Sequence, residues 1–152
     1  MLTAYRIAKA RHARAAFSGE GARIAGGRWN QPGQAAVYAS ASLALAAIET
    51  FVHLGEDALH IEFVYFRVEI PDAVTVQRCR RPPPHWRAEP PEPESMRYGS
   101  KWLRTGRTVV LEVPSAIVPS EKNYLLNPGH PDFRKLRLGR ALPFVFDPRM
   151  WK

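Results

Sequence analysis

A chain of 152 residues, 45% of them apolar and 11% aromatic, can bury the core of one domain and is too apolar to be a disordered segment. Its 22 Lys and Arg against 14 Asp and Glu leave a net charge of +8, which calls for an anionic partner: nucleic acid, an anionic small molecule or an acidic protein. A single cysteine, Cys79, excludes an internal disulfide and any multi-cysteine metal cluster. No apolar run reaches the ~18 residues of a membrane span, and the start MLTAYRIAKARHARAAF lacks an apolar signal core, so the cytoplasm is the expected compartment.

Residues 2–8, LTAYRIA, read as a strand with Arg6 between Tyr5 and Ile7. Residues 9–25 mix small and basic residues around Ser18-Gly19-Glu20-Gly21 and predict a mobile loop. Gly26-Gly27-Arg28-Trp29-Asn30 predicts a turn with a rigid aromatic as its packing anchor, followed by a second turn at Gln31-Pro32-Gly33-Gln34. Residues 35–39 predict a short strand that brings Tyr38 to the foot of the next element.

That element is the most informative stretch of the chain. Ser42 can cap a helix, residues 43–54 make its body, and Gly55 can stop it. Between Arg28 and Glu56 the only formally charged residue is Glu49, which shares a 3.6-residue stripe with Leu45, Ile48 and Val52. A carboxylate placed among apolar side chains is costly unless it is paired or used for chemistry. His53, one turn further on, is read as a residue favoured by the helix C-terminus.

Residues 60–70, HIEFVYFRVEI, are apolar on both faces and predict a central strand, with a turn at Pro71-Asp72-Ala73 leading into residues 74–76. Pro82, Pro83, Pro84, Pro90, Pro91 and Pro93 make residues 82–93 a surface loop or arm, with Trp86 at its tip available to a partner. Residues 95–105 predict a short helix with Tyr98 and Trp102 on one side. A strand follows at 108–113, continuing beyond Pro114-Ser115 into 116–118; residues 123–126 precede an Asn127-Pro128-Gly129 turn, and 133–138 and 142–146 are the last candidate strands. One long helix, a few short ones and six to eight short strands with little βαβ alternation predict an α+β fold with mostly antiparallel sheets.

Basic residues occur in ones and twos, and no RNP, helix-turn-helix, zinc-finger, GxGxxG or Walker A pattern is present. The polar residues set beside apolar or turn positions are Arg6, Arg28, Tyr38, Glu49 and Ser115. Two guanidinium forks suit a pyrophosphate, a tyrosine can stack on a planar ring, and one carboxylate suits a reaction whose transition state carries oxocarbenium charge.

The motifs YRI with Arg6, GGRWN with Arg28, VYASASLALAAIE with Tyr38 and Glu49, VPSAIVPSEKNYLLNP with Ser115 and Asn123, and the tail FVFDPRMW resemble the RES-domain family. That family is named for an Arg, a Glu and a Ser and comprises the toxin halves of Xre–RES toxin–antitoxin pairs. The likeness runs through nearly the whole chain, in the same order, with the proline-rich segment outside the pattern. It implies one compact RES domain over residues 1–152, with a fold like the ADP-ribosyltransferase toxins and NAD in a cleft between two small sheets. It also implies hydrolysis or phosphorolysis of NAD as substrate, with no metal or other cofactor and with inorganic phosphate as a candidate co-substrate. An Xre-family antitoxin would be the partner, carrying any DNA contact, and a homodimer is compatible with the resemblance. By the same resemblance Arg6 and Arg28 hold the phosphates, Tyr38 stacks at the nicotinamide end and Glu49 stabilises the ribosyl cation. Ser115 bonds the ribose or positions Glu49, and Asn123 supports the site from behind. Two rival functions stand beside this: transfer of ADP-ribose to a protein or nucleic acid, and a non-catalytic basic RNA-binding domain with a structural Glu49.

Overall fold

In the computed structural model, which describes residues 1–152, a single mixed sheet carries the fold. Its strands are β1 (Leu2–Lys9), β2 (Val37–Ser40), β3 (Phe63–Ile70), β4 (Val76–Arg78), β5 (Val110–Pro114), β6 (Lys122–Leu126), β7 (Arg137–Leu138) and β8 (Leu142–Phe144). The order across the sheet is β4-β5-β6-β2-β1-β3-β7, with β8 pairing the other end of β3, and only β4 and β5 run parallel. The two small sheets that the resemblance implies are joined edge to edge here. The join is narrow: β1 and β2 share one registered pair, Tyr5 with Ser40, whereas β1 and β3 are in register along their full length. Beyond that pair the two halves of the sheet part.

The apolar pattern of residues 60–70 has a clear physical origin. Along β3, Val68 and Ile70 enter a core shared with Ala4, Val37, Val110 and Leu126, while Phe63 and Tyr65 face a second core with Ile7, Ala46 and Phe146. Both faces are covered, yet β3 lies near one edge of the sheet rather than at its centre. Double-sided burial therefore marks two cores, not a central position.

Three helices pack against this frame: α1 (Glu20–Ala25), α2 (Leu43–Phe51) and α3 (Pro93–Thr105). The Ser42 hydroxyl caps α2 by accepting the Leu45 N–H at 3.0 Å. The helix ends earlier than its composition predicts, because the N–H groups of His53 and Leu54 bond to Thr50 and Phe51, three residues back, and tighten the last turn. Pro93 starts α3, where a missing N–H costs nothing, and Gly106 closes it in the left-handed conformation. Trp102 is buried and Tyr98 half-buried on its inner side, as the spacing predicts.

Other local expectations fail. Residues 9–25 are not an unstructured loop: a 3-10 segment at Ala10–Ala15 and α1 occupy most of them. Residues 116–118 do not extend β5 but form a bend, and residues 133–138 reduce to a 3-10 turn and the two-residue β7. Trp86 does not project from a free arm. It packs on Trp29 with ring centroids 6.2 Å apart, in the core that also holds Trp102, Leu111 and Leu125.

Candidate active site

The parting of β1 from β2, the inner face of α2 and the turn after β5 enclose a cleft of about 1040 Å³, large enough for a dinucleotide. Glu49, on the second turn of α2, is half-buried on its wall rather than sunk in the core. Its expected stripe does not stay apolar and covered: Leu45 is buried, but Val52 is 54% exposed and lines the cleft with Glu49 and His53. The core-facing side of α2 is instead Leu43, Ala46, Ala47 and Phe51. Rotating the stripe by part of a turn is what frees the carboxylate for a ligand.

Ser115 fixes that carboxylate. Its hydroxyl donates to Glu49 Oε1 at 2.6 Å and accepts the N–H groups of Ile117 at 3.1 Å and Val118 at 3.0 Å. Ser115 has no solvent exposure. The two roles a serine after a proline can take, capping a turn and orienting Glu49, are thus one arrangement: the capped turn aims the O–H.

Arg6 lines the same cleft from β1, at the parting of the sheet. Its Nε donates to the Ala16 carbonyl at 2.6 Å and its Nη1 to the Tyr38 carbonyl at 2.9 Å, so it bridges β1 to β2. Burial lowers its pKa to about 10, which leaves it charged at neutral pH. No carboxylate pairs with it, so an anion entering the cleft meets a fixed cation with N–H groups to spare.

Tyr38 presents its ring to the cleft and buries its hydroxyl. The O–H donates to Asn30 Oδ1 at 2.7 Å and accepts the Trp29 N–H at 3.0 Å, and burial pushes its pKa up. Such a phenol is a fixed platform, not a proton donor at neutral pH. Gly27 is required beside it, because a Cβ there would come within 2.7 Å of the Tyr38 hydroxyl. Asn30, fully buried, donates from Nδ2 to the carbonyls of Ala22, Gln31 and Gln34, tying the GGRWN turn to α1. Asn123 lines the cleft and accepts the Ser40 hydroxyl at 2.7 Å.

Arg28 also borders the cleft, but its head is engaged elsewhere. Nη1 donates to the carbonyls of Trp86 at 2.9 Å and Ala88 at 2.6 Å, and Nη2 pairs with Glu89 at 2.9 Å. The proline-rich segment is therefore fastened to the site and forms one wall of it, with Arg87 and Glu89 lining the cleft. Arg6, Tyr38, Glu49 and Asn123 line one cleft, Ser115 reaches it through its bond to Glu49, and Arg28 borders it chiefly as the fastener of that wall.

Comparison with known proteins shows the family. A family model described as RES domain matches residues 3–147. The chain belongs to the RES-domain family. This RES domain is 44% identical over 138 residues to a protein of Sphingobium sp. named Prs ADP-ribosylating toxin, covering 88% of this chain and 86% of that protein. It is 39% identical over 148 residues to Toxin Res of Yersinia enterocolitica, covering 96% and 97%, and 37% identical over 150 residues to Toxin Res of Photorhabdus laumondii, covering 97% and 96%. No helix of this RES domain is long and apolar enough to cross a membrane.

Sequence reasoning missed Asn30, Ser40 and Arg87. Asn30 had a signal, since a polar residue between Trp29 and a Gln-Pro-Gly turn must satisfy its amide somewhere. Ser40 and Arg87 had none, because both gain their neighbours from residues far along the chain.

Proposed function

We propose that this RES domain acts as the toxin of a toxin–antitoxin pair and cleaves the bond between nicotinamide and ribose in NAD. The observation that carries the reading is the Glu49–Ser115 pair: a carboxylate on a cleft wall, aimed by a buried hydroxyl at 2.6 Å, in a cleft also lined by an arginine that no carboxylate pairs. In the reaction the C–N bond breaks heterolytically and nicotinamide leaves as a neutral base with the bonding electrons. The ribosyl carbon is left with oxocarbenium character that the Glu49 carboxylate stabilises. An acceptor oxygen then adds to that carbon and gives up its proton. Arg6 holds a phosphate, the Tyr38 ring supports the nicotinamide end, and Ser40 with Asn123 supports the ribose side. Water or phosphate as acceptor makes the protein an NAD-consuming enzyme.

A second acceptor has a specific observation in its favour, the name of the Sphingobium relative, which is an ADP-ribosylating toxin. Transfer of ADP-ribose to a protein uses the same cleft and the same first half of the reaction. Incubating the purified protein with labelled NAD separates the cases. Free ADP-ribose or its phosphate supports NAD consumption, label on a macromolecule supports transfer, and intact NAD refutes both. The cellular partner in this reading is an Xre-type antitoxin with an acidic segment, drawn by the net charge of +8 and seated over the cleft entrance.

A further inference from the structure

The phosphates of a dinucleotide need more than one cation, and Arg28 is poorly placed to be the second. Three of its N–H groups are spent on Trp86, Ala88 and Glu89, and the Glu89 carboxylate is already the anion paired with its Nη2. The same segment offers a replacement. Arg87 lines the cleft, is exposed, and is anchored by a bond from its Nε to the Ala116 carbonyl at 3.0 Å, one residue beyond Ser115. That bond fixes the root of the guanidinium and leaves its terminal N–H groups open. Glu89, the nearest acid in sequence, is committed to Arg28, and no carboxylate pairs with Arg87.

We propose that Arg87, carried by the proline-rich segment, is a phosphate-binding residue of the cleft, and that it grips the pyrophosphate of the substrate together with Arg6. The Arg28–Glu89 pair then serves to hold the segment in the position that presents Arg87. The proline content contributes to this: chain stiffened at Pro82, Pro83, Pro84, Pro90 and Pro91 loses little entropy when it is fixed against the site. The assignment rests on NAD as the substrate and adds a residue that lies outside the family's motifs.

The test uses the Glu49→Gln protein, which keeps the cleft but should bind NAD without turning it over. Calorimetry with NAD, ADP-ribose and nicotinamide riboside is run with and without Arg87→Ala, and folding is checked by thermal melting. Arg87→Ala should weaken NAD and ADP-ribose about tenfold or more and leave the phosphate-free riboside unchanged, with Arg87→Lys between the two. In the catalytically intact protein the same change should raise KM with kcat nearly constant. Unchanged NAD affinity in Arg87→Ala overturns the assignment while the proposed function stands. Equal weakening of all three ligands, or a fall in kcat without a change in KM, also overturns it, because Arg87 would then act through the Ala116 turn on Ser115. A Glu49→Gln protein that binds none of the three overturns the assignment and the NAD reading together.

Discussion

Ser115→Ala removes a side chain whose single oxygen serves both the turn after β5 and the candidate catalytic carboxylate. The lost O–H···carboxylate bond at 2.6 Å is charge-assisted, and such bonds contribute about 1.5–3 kcal/mol. The N–H groups of Ile117 and Val118 lose their acceptor too, at about 1 kcal/mol or more between them, depending on how much water reaches them. The expected loss of stability is about 2.5–4 kcal/mol, which for a domain of this size lowers the melting temperature by roughly 5–16 °C. Glu49→Gln is the matched control, because its amide oxygen can still accept from Ser115 while its negative charge is gone. Differential scanning calorimetry and NAD turnover per folded molecule should therefore give different signatures for the two variants. Ser115→Ala loses stability and about 10- to 100-fold in kcat, whereas Glu49→Gln melts close to wild type and loses more activity. If Ser115→Ala is destabilised but keeps wild-type kcat per folded molecule, Ser115 is a turn cap only and the aiming of Glu49 is wrong.

Further outcomes follow from the packing and the titrating groups. A Cβ at Gly99 would lie 1.7 Å from the Trp29 carbonyl oxygen, so Gly99→Ala must push α3 off the GGRWN turn. It should cost about 1–3 kcal/mol or more, and an unchanged melting temperature would show the contact to be looser than drawn. Burial raises the pKa of Tyr38 and Tyr124 and pushes Tyr98 up to about 12, so these phenols are held un-ionised in the fold. Because the folded values are raised, the stability they confer is present below the ordinary value of about 10 and is lost as pH climbs through the folded values. Arg6, lowered to about 10, acts in the opposite sense over part of that range, but one group opposes three. Phenolate absorbance should therefore rise together with loss of circular dichroism, and full titration in a still-folded protein contradicts this. An Xre-type antitoxin that covers the cleft must compete with NAD. Its affinity for the Glu49→Gln protein should fall as NAD approaches saturation, and a flat affinity rules out direct blocking.

The legible parts of the site are those with a local signature. Glu49 stood out as the one charge in an apolar helix, Ser42 as that helix's cap, and Trp29 as the anchor of a glycine turn; each needs only a few neighbouring residues to be recognised. What pairs with these residues was not legible from physics alone. Ser115 meets Glu49 across 66 residues of chain and Arg28 meets Trp86 across 58, and no periodicity encodes such distances. The RES resemblance supplied the company of Arg6, Tyr38, Glu49 and Ser115, but it could not show that Arg28 would be fastened to a segment outside the pattern. Residues 9–25 read as loop for another reason: a six-residue helix such as α1 is too short to display a 3.6-residue period, and Gly21 within it and Gly19 and Gly26 beside it are loop signals. The narrow join of β1 to β2, which opens the cleft, depends on a register that no local pattern fixes.

The central claim is that the Glu49 carboxylate stabilises charge on the ribose of NAD, and release of nicotinamide tests it most directly. Purified wild-type protein should release nicotinamide from NAD, whichever acceptor takes the ADP-ribose. Glu49→Gln, with the same fold and melting behaviour, should be slower by about 100- to 1000-fold, the loss of roughly 2.7–4 kcal/mol expected when one preorganised electrostatic group is removed from a transition state. Nicotinamide release by Glu49→Gln at the wild-type rate per folded molecule would contradict the account.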